Sequence, residues 1–390
     1  MAHELTKKYD IECILIDYAD GYMASRANKD LVDVVYYSDD FELSICDDAI
    51  IVFQSMTPWS IFPMLHVPDK TKILFWNCHP QNLVPTLPGM RVLDRIKSPI
   101  LRNFCKLLLS PYMTQTKKFV THLLATKGLV FMDRENVRNT ESCLGLHITD
   151  PSYIPIPSTS ANPVSFPINS LNETPTKIRL SWVGRIVDFK YFILKKLLFD
   201  LEAVSGEINL DITMTIIGDG SHHFKLTQDI AELAKIDIKL IHHLEESILD
   251  DFLRNETDIL FAMGTSALEG AKFGIPTILL DLAFTEVPSG YQYQWLYERD
   301  GSTLGDIIAD CKDDSSSVSS LKSIFTRWLE QENELSDLTL EYFNQNHDIS
   351  VVAHKFTHAL ESCCCVWGDL KSKGLLRRGV AYPVFKLLRK

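Results

Sequence analysis

The second half of the chain opens with the stretch KIRLSWVGRIVDFK (Lys177–Lys190), which joins an apolar strand pattern to the start of a helix. Gly184 ends the apolar run and permits a tight turn, and Arg185 follows it at once. Lys190 stands at the start of the helical pattern DFKYFILKKLLFDLEAV. Two cations and a helix N-terminus at one point favour an anion, most simply a phosphate or a diphosphate. The alternative is a surface loop whose arginine and lysine are only solvated.

The same alternation of strand and helix continues on both sides of this stretch. Downstream strands are predicted for DITMTIIGDG, IKLIHHL, TDILFAMG and IPTILLD. Upstream strands are predicted for IECILID, VDVVYYS, AIIVFQS, KILFWNC, GLVFMD and YIPIPS. Near-continuous apolar strands joined by helices are typical of parallel sheets that are covered on both faces. The sequence therefore predicts an α/β protein with two Rossmann-like parallel-sheet domains, which face a cleft where ligands bind.

A proline-rich segment divides the two predicted domains. The stretch PIPSTSANPVSFPINSLNETPTK (155–177) contains five prolines and many small polar residues, which break both helix and strand periodicity. We expect a first α/β domain over residues 1–160, a linker over 161–177 and a second α/β domain over 178–345. The remaining residues, 346–390, are predicted to form helices that end in a basic tail.

Basic residues are concentrated in two segments of an acidic chain. The net charge is −12, which argues against general nucleic-acid binding. Residues 371–390 carry seven basic side chains and no acidic one, and residues 91–127 carry eight basic side chains and one aspartate. Both segments also contain Leu, Phe and Tyr, and cations beside apolar groups suit an anionic membrane surface. Two solvated helix faces are the alternative.

Three further features indicate a cytoplasmic protein that is attached to a membrane only at its surface. No apolar stretch approaches the ~18 residues of a membrane-spanning helix. The N-terminal residues MAHELTKKYD contain no apolar signal-peptide core. The nine cysteines include no C-x-x-C pair, which is typical of reduced thiols in a cytosol. We therefore expect the chain at the inner face of the cell membrane.

A second glycine-containing turn occurs in DILFAMGTSALEGAKFGIPTILLD (Asp258–Asp281). Gly264 would let the backbone approach a ligand, and Thr265 and Ser266 supply hydroxyl and N–H groups at a helix start. Glu269 lies one turn further on, where its carboxylate could accept hydrogen bonds from a vicinal diol such as a ribose. Alternatively, Ser266 caps the helix and Glu269 is a favourable first-turn acid, and the two uses are compatible.

A third turn, IIGDG (Ile216–Gly220), ends another predicted strand with Gly218 and Gly220. Together the three turns resemble those of the group 1 family of GT-B glycosyltransferases, a family of mostly retaining enzymes. The family's G-R-x4-K motif is matched by GRIVDFK, its I-G-D-G turn by IGDG, and its L-E-x4-G-x-P motif by LEGAKFGIP (268–276). The motifs lie within residues 176–285, and the rest of the chain matches by domain pattern only.

The resemblance implies transfer of a sugar from a nucleoside diphosphate sugar to a lipid-linked or polysaccharide acceptor, in the biosynthesis of a cell-surface glycan. Arg185 and Lys190 would hold the donor diphosphate and act as catalytic residues, because its charge grows as the glycosidic bond breaks. Glu269 would bind the ribose, and the glycine-containing loop before it would meet the phosphates. A hexosyltransferase-like, retaining reaction of this kind requires no protein nucleophile.

No metal or other cofactor is expected, and the nucleotide sugar is a co-substrate. The histidine pairs His222–His223 and His242–His243 have no carboxylate or cysteine partner at ligand spacing. These pairs therefore do not predict a metal site.

The candidate catalytic residue of the first domain is His79, in FWNCHPQNLVP. His79 and Asn77 follow a predicted strand at the cleft edge, where the imidazole could orient the acceptor or contact the donor sugar. The alternative is a turn histidine that is satisfied locally before Pro80. In the second domain, the aromatic residues of SGYQYQWLYERDG (Ser289–Gly301) either contact sugar rings or pack against the last helices.

The sequence departs from the family pattern in two places. The family has a glutamate that contacts the donor sugar eight positions before the ribose-binding one, and here that position is Phe261. The chain also begins directly with a helix pattern, MAHELTKKY, so either the first strand of the domain is missing or the recorded start is late. Two other functions therefore stay open. One is a nucleotide-sugar epimerase of the same fold, and the other is a catalytically silent nucleotide-sugar-binding partner of a membrane synthase complex.

Overall fold

The structure, a computed structural model, describes residues 1–27, 29–54, 64–78, 114–161, 175–299, 302–308 and 320–376. The chain divides into two units: Met1–Ile156 with Val352–Lys390, and Pro157–Val351. The predicted linker, 161–177, lies largely outside the described residues, and its last residue already begins a strand.

The described elements of the first unit are, in chain order, α1 (Ala2–Tyr9), β1 (Ile14–Tyr18), α2 (Tyr22–Arg26), β2 (Asp33–Tyr37), β3 (Leu43–Ser44), β4 (Ile50–Phe53), β5 (Leu65–His66), β6 (Lys72–Asn77), α3 (114–125), β7 (Leu129–Phe131) and α4 (Arg134–Leu144). Those of the second unit are β8 (Lys177–Val183), α5 (Asp188–Ser205), β9 (Asp211–Ile217), α6 (His223–Ile230), β10 (Asp237–Ile241), α7 (Glu246–Glu256), β11 (Ile259–Ala262), α8 (Ser266–Ala271), β12 (Thr277–Leu279), β13 (Gln294–Trp295) and α9 (Leu321–Asn346). The chain continues with α10 (Ile349–Ser362) and α11 (Trp367–Ser372).

The strand pairs of the first unit are parallel throughout its described residues. β4, β6 and β7 form a three-stranded sheet, while β1 pairs with β2 and β3 pairs with β5. In β6, Ile73, Leu74 and Phe75 are at most 2% exposed. Phe75 contacts Phe119 of α3 edge-on, with ring centroids 5.3 Å apart. Because both faces of this strand are covered, its sequence is a nearly continuous apolar run.

The C-terminal helices contribute to the core of the first unit. Phe356 of α10 packs against Trp76 of β6, with ring centroids 5.4 Å apart. Leu370 of α11 is fully buried in the same core. The segment that the sequence analysis set apart as residues 346–390 is therefore part of the first unit from Val352 onward, because its apolar face covers the sheet.

The second unit is built on a six-stranded sheet in the order β10-β9-β8-β11-β12-β13. Its neighbouring strands are parallel except for β12 and β13. Ile178, Leu180 and Trp182 alternate along β8, so they share one face, and each is at most 1% exposed. They belong to one apolar core with Leu194 and Leu198 of α5. The predicted class, an α/β protein with parallel sheets in both domains, is confirmed.

The aromatic residues that follow Ser289 form part of this core. Tyr293 and Trp295 are each 1% exposed, and the Tyr293 hydroxyl donates to Asp200 at 2.7 Å. Burial raises the pKa of the Tyr293 phenol well above its usual value, so the hydroxyl stays a neutral donor. The packing alternative is therefore correct. The sequence analysis missed β13, because a two-residue strand is too short to show alternation.

Candidate functional site

The three glycine-containing turns predicted from the sequence lie side by side at one edge of the second sheet. β8 ends at Val183 and lies between β9, which ends at Ile217, and β11, which ends at Ala262. Because these three strands are parallel, the turns that follow them meet at their carboxyl ends, where α/β sheets bind ligands. The tertiary structure thus brings together the three segments of the second unit that carry predicted site residues.

The IGDG turn packs directly on the turn that follows β8. The Gly184 N–H donates to the Ile217 carbonyl at 3.0 Å. A Cβ atom at Gly218 would lie 2.0 Å from the Gly184 carbonyl oxygen, so a larger residue requires the backbone to move. Gly218 therefore sets the position of the segment that carries Arg185.

Lys190 and Ser266 converge on one side of Gly184. A Cβ atom built on this glycine would lie 3.1 Å from Lys190 Nζ and 3.7 Å from Ser266 Oγ. Arg185, the next residue in the chain, is exposed. Among the residues that the structure describes, no carboxylate forms an ion pair with Lys190. An ammonium, a hydroxyl and a guanidinium are thus gathered at one turn.

Lys190 is a partly buried cation, and no carboxylate in the described part of the chain neutralises it. Burial, and after it repulsion from Arg185, lowers the pKa of the Lys190 ammonium to about 8. The side chain is still charged at neutral pH, although desolvation of an unpaired charge costs free energy. A bound anion would relieve both the desolvation and the repulsion. The geometry and the charge of this turn therefore indicate an anion site.

Glu269 is held by Lys272, a residue that the sequence analysis did not single out. Lys272 Nζ donates to Glu269 Oε2 at 2.7 Å and lies 2.8 Å from Asp250 Oδ1, and its own side chain is 5% exposed. The Glu269 side chain is 32% exposed, so its carboxylate is anchored at one oxygen and still partly open to solvent. The signal in the sequence that could have identified Lys272 is its position three residues after Glu269, because residues at i and i+3 lie on the same helix face.

The turn before Glu269 differs from the expected one. The N-cap of α8 is Thr265, which has helical dihedral angles and makes no side-chain cap hydrogen bond, and Ser266 is the first helical residue. The alternative interpretation, in which Ser266 caps the helix, is therefore wrong. The Gly264 N–H donates to the Leu304 carbonyl at 2.7 Å, so this donor already has a hydrogen-bond partner within the protein. Gly264 has a φ of 65°, a left-handed conformation that favours glycine.

The position of the family's second glutamate lies inside the core. Phe261 is fully buried in β11, and its ring contacts Tyr293 edge-on with centroids 6.2 Å apart. Phe261 lies eight positions before Glu269, inside β11 and not in the turn that joins β11 to α8. A side chain at this position cannot contact a ligand at the strand end.

The candidates of the first unit are only partly described. His79 and the basic residues 91–113 and 377–390 lie outside the described residues, and their expected roles stay predictions. Asn77 is 1% exposed, and within the described part of the chain its side-chain amide has no hydrogen-bond partner. No helix in the described ranges is both long and apolar enough to cross a bilayer.

One expectation about the histidine pairs is wrong. His242 does have a carboxylate partner, because its Nδ1 lies 3.6 Å from Asp219 Oδ2. The His242 ring also stacks on His223, with centroids 4.4 Å apart. The two turns that carry Asp219 and His242 follow neighbouring parallel strands, β9 and β10, so they meet in space although they are distant in sequence.

No protein-family model and no curated protein sequence matches the chain. Solved structures match it at low identity. The structure of S. aureus TarM in complex with UDP matches at 12% identity over 63% of this chain and 46% of that chain, with a TM-score of 0.40. Trehalose-6-phosphate synthase, studied for glycosyl transfer with retention, matches at 13% identity over 81% and 74%, with a TM-score of 0.46. WaaG, a glycosyltransferase involved in lipopolysaccharide biosynthesis, matches at 11% identity over 89% and 98%, with a TM-score of 0.40.

The chain spans about half the length of the first two structures it matches, 46% of TarM and 45% of a GtfA/B complex chain. At this level of identity the likeness concerns the fold alone.

Proposed function

We propose that this chain is a glycosyltransferase that moves a sugar from a nucleoside diphosphate sugar to a lipid-linked or polysaccharide acceptor. The observation that carries the proposal is the partly buried ammonium of Lys190, which has no ion-pair partner among the described residues and lies with the Ser266 hydroxyl beside Gly184. The exposed Arg185 stands next to it. A diphosphate supplies the negative charge and the acceptor oxygens that such a group of donors requires.

In this proposal the site accelerates the reaction by stabilising the leaving group. Negative charge grows on the diphosphate as the glycosidic bond breaks, and Arg185 and Lys190 are already in place near it. Alignment of donor and acceptor supplies a further part of the rate. A retaining reaction in which the acceptor attacks on the side of the departing diphosphate needs no protein nucleophile, and the buried Phe261 offers none.

The nucleoside end of the donor is assigned to Glu269. Its carboxylate is anchored by Lys272 at 2.7 Å, and anchoring reduces the entropy lost when it accepts hydrogen bonds from a ribose diol. The interaction would discriminate a nucleoside diphosphate from inorganic diphosphate, which has no diol. This residue therefore gives the proposal a test that is independent of the two cations.

The acceptor side of the proposal rests on the sequence. Fifteen basic residues in 91–127 and 371–390 stand beside apolar side chains in an otherwise acidic chain. Attraction to anionic lipid would hold the protein at the cytoplasmic face of the cell membrane, where a lipid-linked acceptor is found. His79 is proposed to orient that acceptor.

A catalytically silent nucleotide-sugar-binding protein is the second candidate. The observation that favours it is Phe261, because a fully buried strand residue cannot contact the donor sugar. The two candidates share the diphosphate site and differ in turnover.

Calorimetric titration with a panel of nucleoside diphosphates, followed by a donor-hydrolysis assay with and without membrane extract, tests the proposal. We expect binding of at least one nucleoside diphosphate, loss of that binding in Lys190→Ala, and hydrolysis or transfer that rises with the extract. Lys239→Ala is the matched control, because Lys239 is an exposed lysine of β10. Binding without any turnover would support the silent candidate. Unchanged binding in both Lys190→Ala and Arg185→Ala would refute the site itself.

A further inference from the structure

Two histidines and an aspartate form a cluster at the carboxyl edge of the second sheet. Asp219 lies in the turn after β9, His223 begins α6, and His242 follows β10. One ligand atom from each side chain lies within 4.8 Å of the other two. The three residues come from separate elements, so no short sequence motif announces the cluster.

The carboxylate of Asp219 is oriented for a ligand at one oxygen. Its Oδ1 accepts the Gly220 N–H at 2.7 Å, while its Oδ2 faces His242 Nδ1 at 3.6 Å. A backbone bond that fixes one carboxylate oxygen and leaves the other free is the support that metal-binding carboxylates commonly have.

His223 also has a ring nitrogen that is available to a ligand. His223 Nε2 is buried, and within the described part of the chain it has no hydrogen-bond partner. The rings of His223 and His242 are nearly parallel, with an interplanar angle of 24° and centroids 4.4 Å apart. The nitrogen lone pairs lie in the ring planes, so a rotation of the exposed His242 side chain is needed to direct one nitrogen of each ring to a common ion.

We infer that Asp219, His223 and His242 bind one divalent transition-metal ion of the Zn²⁺ type, with water completing its coordination. Two imidazoles and a carboxylate are a donor set that suits zinc and its first-row neighbours, whereas Mg²⁺ prefers oxygen ligands. Ligand bonds of about 2.0–2.2 Å need the three groups to close slightly. The Asp219 and His242 side chains are 62% and 67% exposed, so they are free to rotate.

The bound ion ties the IGDG turn to the end of β10. Gly218, in the same turn, packs on Gly184. The metal therefore stabilises a turn that supports the anion site, although the inference does not depend on the proposed function.

The test is a Zn²⁺ titration of the full chain, with His243→Ala as the matched control. His243 is the exposed neighbour of His242 and faces Glu245 at 3.6 Å, outside the cluster. We expect the wild type and His243→Ala to bind the same number of zinc ions, and His242→Ala to bind one fewer. The lost affinity should exceed the roughly 10- to 100-fold that removal of an outer-sphere partner costs. Asp219→Asn should weaken the same site, and metal-free melting temperatures show whether each variant is folded.

Replacing Zn²⁺ by Co²⁺ distinguishes binding at this site from binding to the nine cysteines. Thiolate ligands give Co²⁺ an intense charge-transfer absorption that imidazole and carboxylate ligands do not give. We expect the Co²⁺ spectrum of the wild type to lack this charge-transfer absorption. The weaker bands of bound Co²⁺ should disappear in His242→Ala and should be unaffected by excess Mg²⁺. Equal zinc binding by the wild type and folded His242→Ala overturns the inference. A spectrum dominated by thiolate ligation, or displacement by Mg²⁺, also overturns it.

Discussion

The ammonium of Lys190 and the hydroxyl of Ser266 lie within 3.1 Å and 3.7 Å of the same point, the position that a Cβ atom on Gly184 would occupy. These two side chains come from different helices, α5 and α8, which follow the neighbouring parallel strands β8 and β11. Only a residue without a side chain leaves the space between them open to a ligand.

Arg185→Ala and Lys190→Ala should each weaken nucleoside diphosphate binding by about 1.5–3 kcal/mol, the range for hydrogen bonds to charged groups. This corresponds to a roughly 10- to 150-fold rise in Kd. Calorimetry checks the loss, and Lys239→Ala should bind like the wild type. If neither variant binds more weakly, the two cations do not hold the diphosphate.

The affinity for a diphosphate should also depend on pH. The pKa of the free Lys190 ammonium is lowered to about 8, and a bound anion raises it, so affinity is full below about pH 8 and falls as the pH rises above it. Calorimetry between about pH 7 and 9.5 measures the fall. Lys190→Arg stays charged over this range and should bind with little pH dependence. A wild type whose affinity is flat over the same range would contradict the role of Lys190.

Lys190→Met should stabilise the ligand-free protein at neutral pH. In the folded state the pKa of the Lys190 ammonium is lowered, so the unfolded state binds the proton more strongly. The charge therefore opposes folding, and its effect is full below about pH 8. We expect a gain on the order of 2–3 kcal/mol in the free energy of unfolding at pH 7, at 1.36 kcal/mol per pKa unit. The gain should shrink above about pH 8 as Lys190 loses its proton, and vanish near the usual lysine pKa of about 10.4. Urea unfolding at pH 7 and pH 10 measures it, and a loss of stability at pH 7 would show that Lys190 has a counter-charge.

Glu269→Gln should reduce the affinity for a nucleoside diphosphate by about 1.5–3 kcal/mol and leave inorganic diphosphate nearly unaffected. The reason is that only the nucleoside carries the ribose diol. Asp250→Asn is the matched control, because it removes the other carboxylate partner of Lys272 without touching the proposed diol contact. Equal losses for both ligands in Glu269→Gln would assign this residue a structural role.

Gly218→Ala should destabilise the second unit. The new Cβ would lie 2.0 Å from the Gly184 carbonyl oxygen, and overpacking of this kind costs about 1–3 kcal/mol or more. Gly290→Ala is the control, because a Cβ there has no heavy atom within 4 Å and should change stability by no more than about 0.5 kcal/mol. Urea unfolding of both variants checks the difference. Similar stabilities would mean that the two turns can separate without cost.

Removal of residues 377–390 should weaken binding to anionic vesicles. The truncation deletes five basic side chains, each worth about 1 kcal/mol near an anionic surface. It keeps Leu370 and Leu375, which are buried in the first unit, so the fold and the nucleotide affinity should persist. Co-sedimentation with anionic and neutral vesicles at rising salt measures the effect. If the intact protein does not bind anionic vesicles at low salt, the two basic segments are solvated surfaces and the acceptor is soluble.

The sequence by itself determined the class of fold and predicted where an anion would bind. Continuous apolar strands such as KIRLSWV indicate a parallel sheet, because strands covered on both faces lose the alternation of polar and apolar residues. Glycines at the ends of these strands then mark the carboxyl edge of the sheet. The local pattern alone was therefore enough to predict Gly184, Arg185 and Lys190 as an anion site. Each of these inferences uses neighbours along the chain.

Only the tertiary structure decided which side chains from distant segments meet. It buried Phe261 in the strand, held Glu269 through Lys272 and Asp250, and packed the helices after Val352 into the first unit. It also joined Asp219 to His242, whose turns follow paired strands. The physical reason is that strand order and register are set by packing over the whole sheet, whereas periodicity reports only how one segment divides its faces between core and solvent.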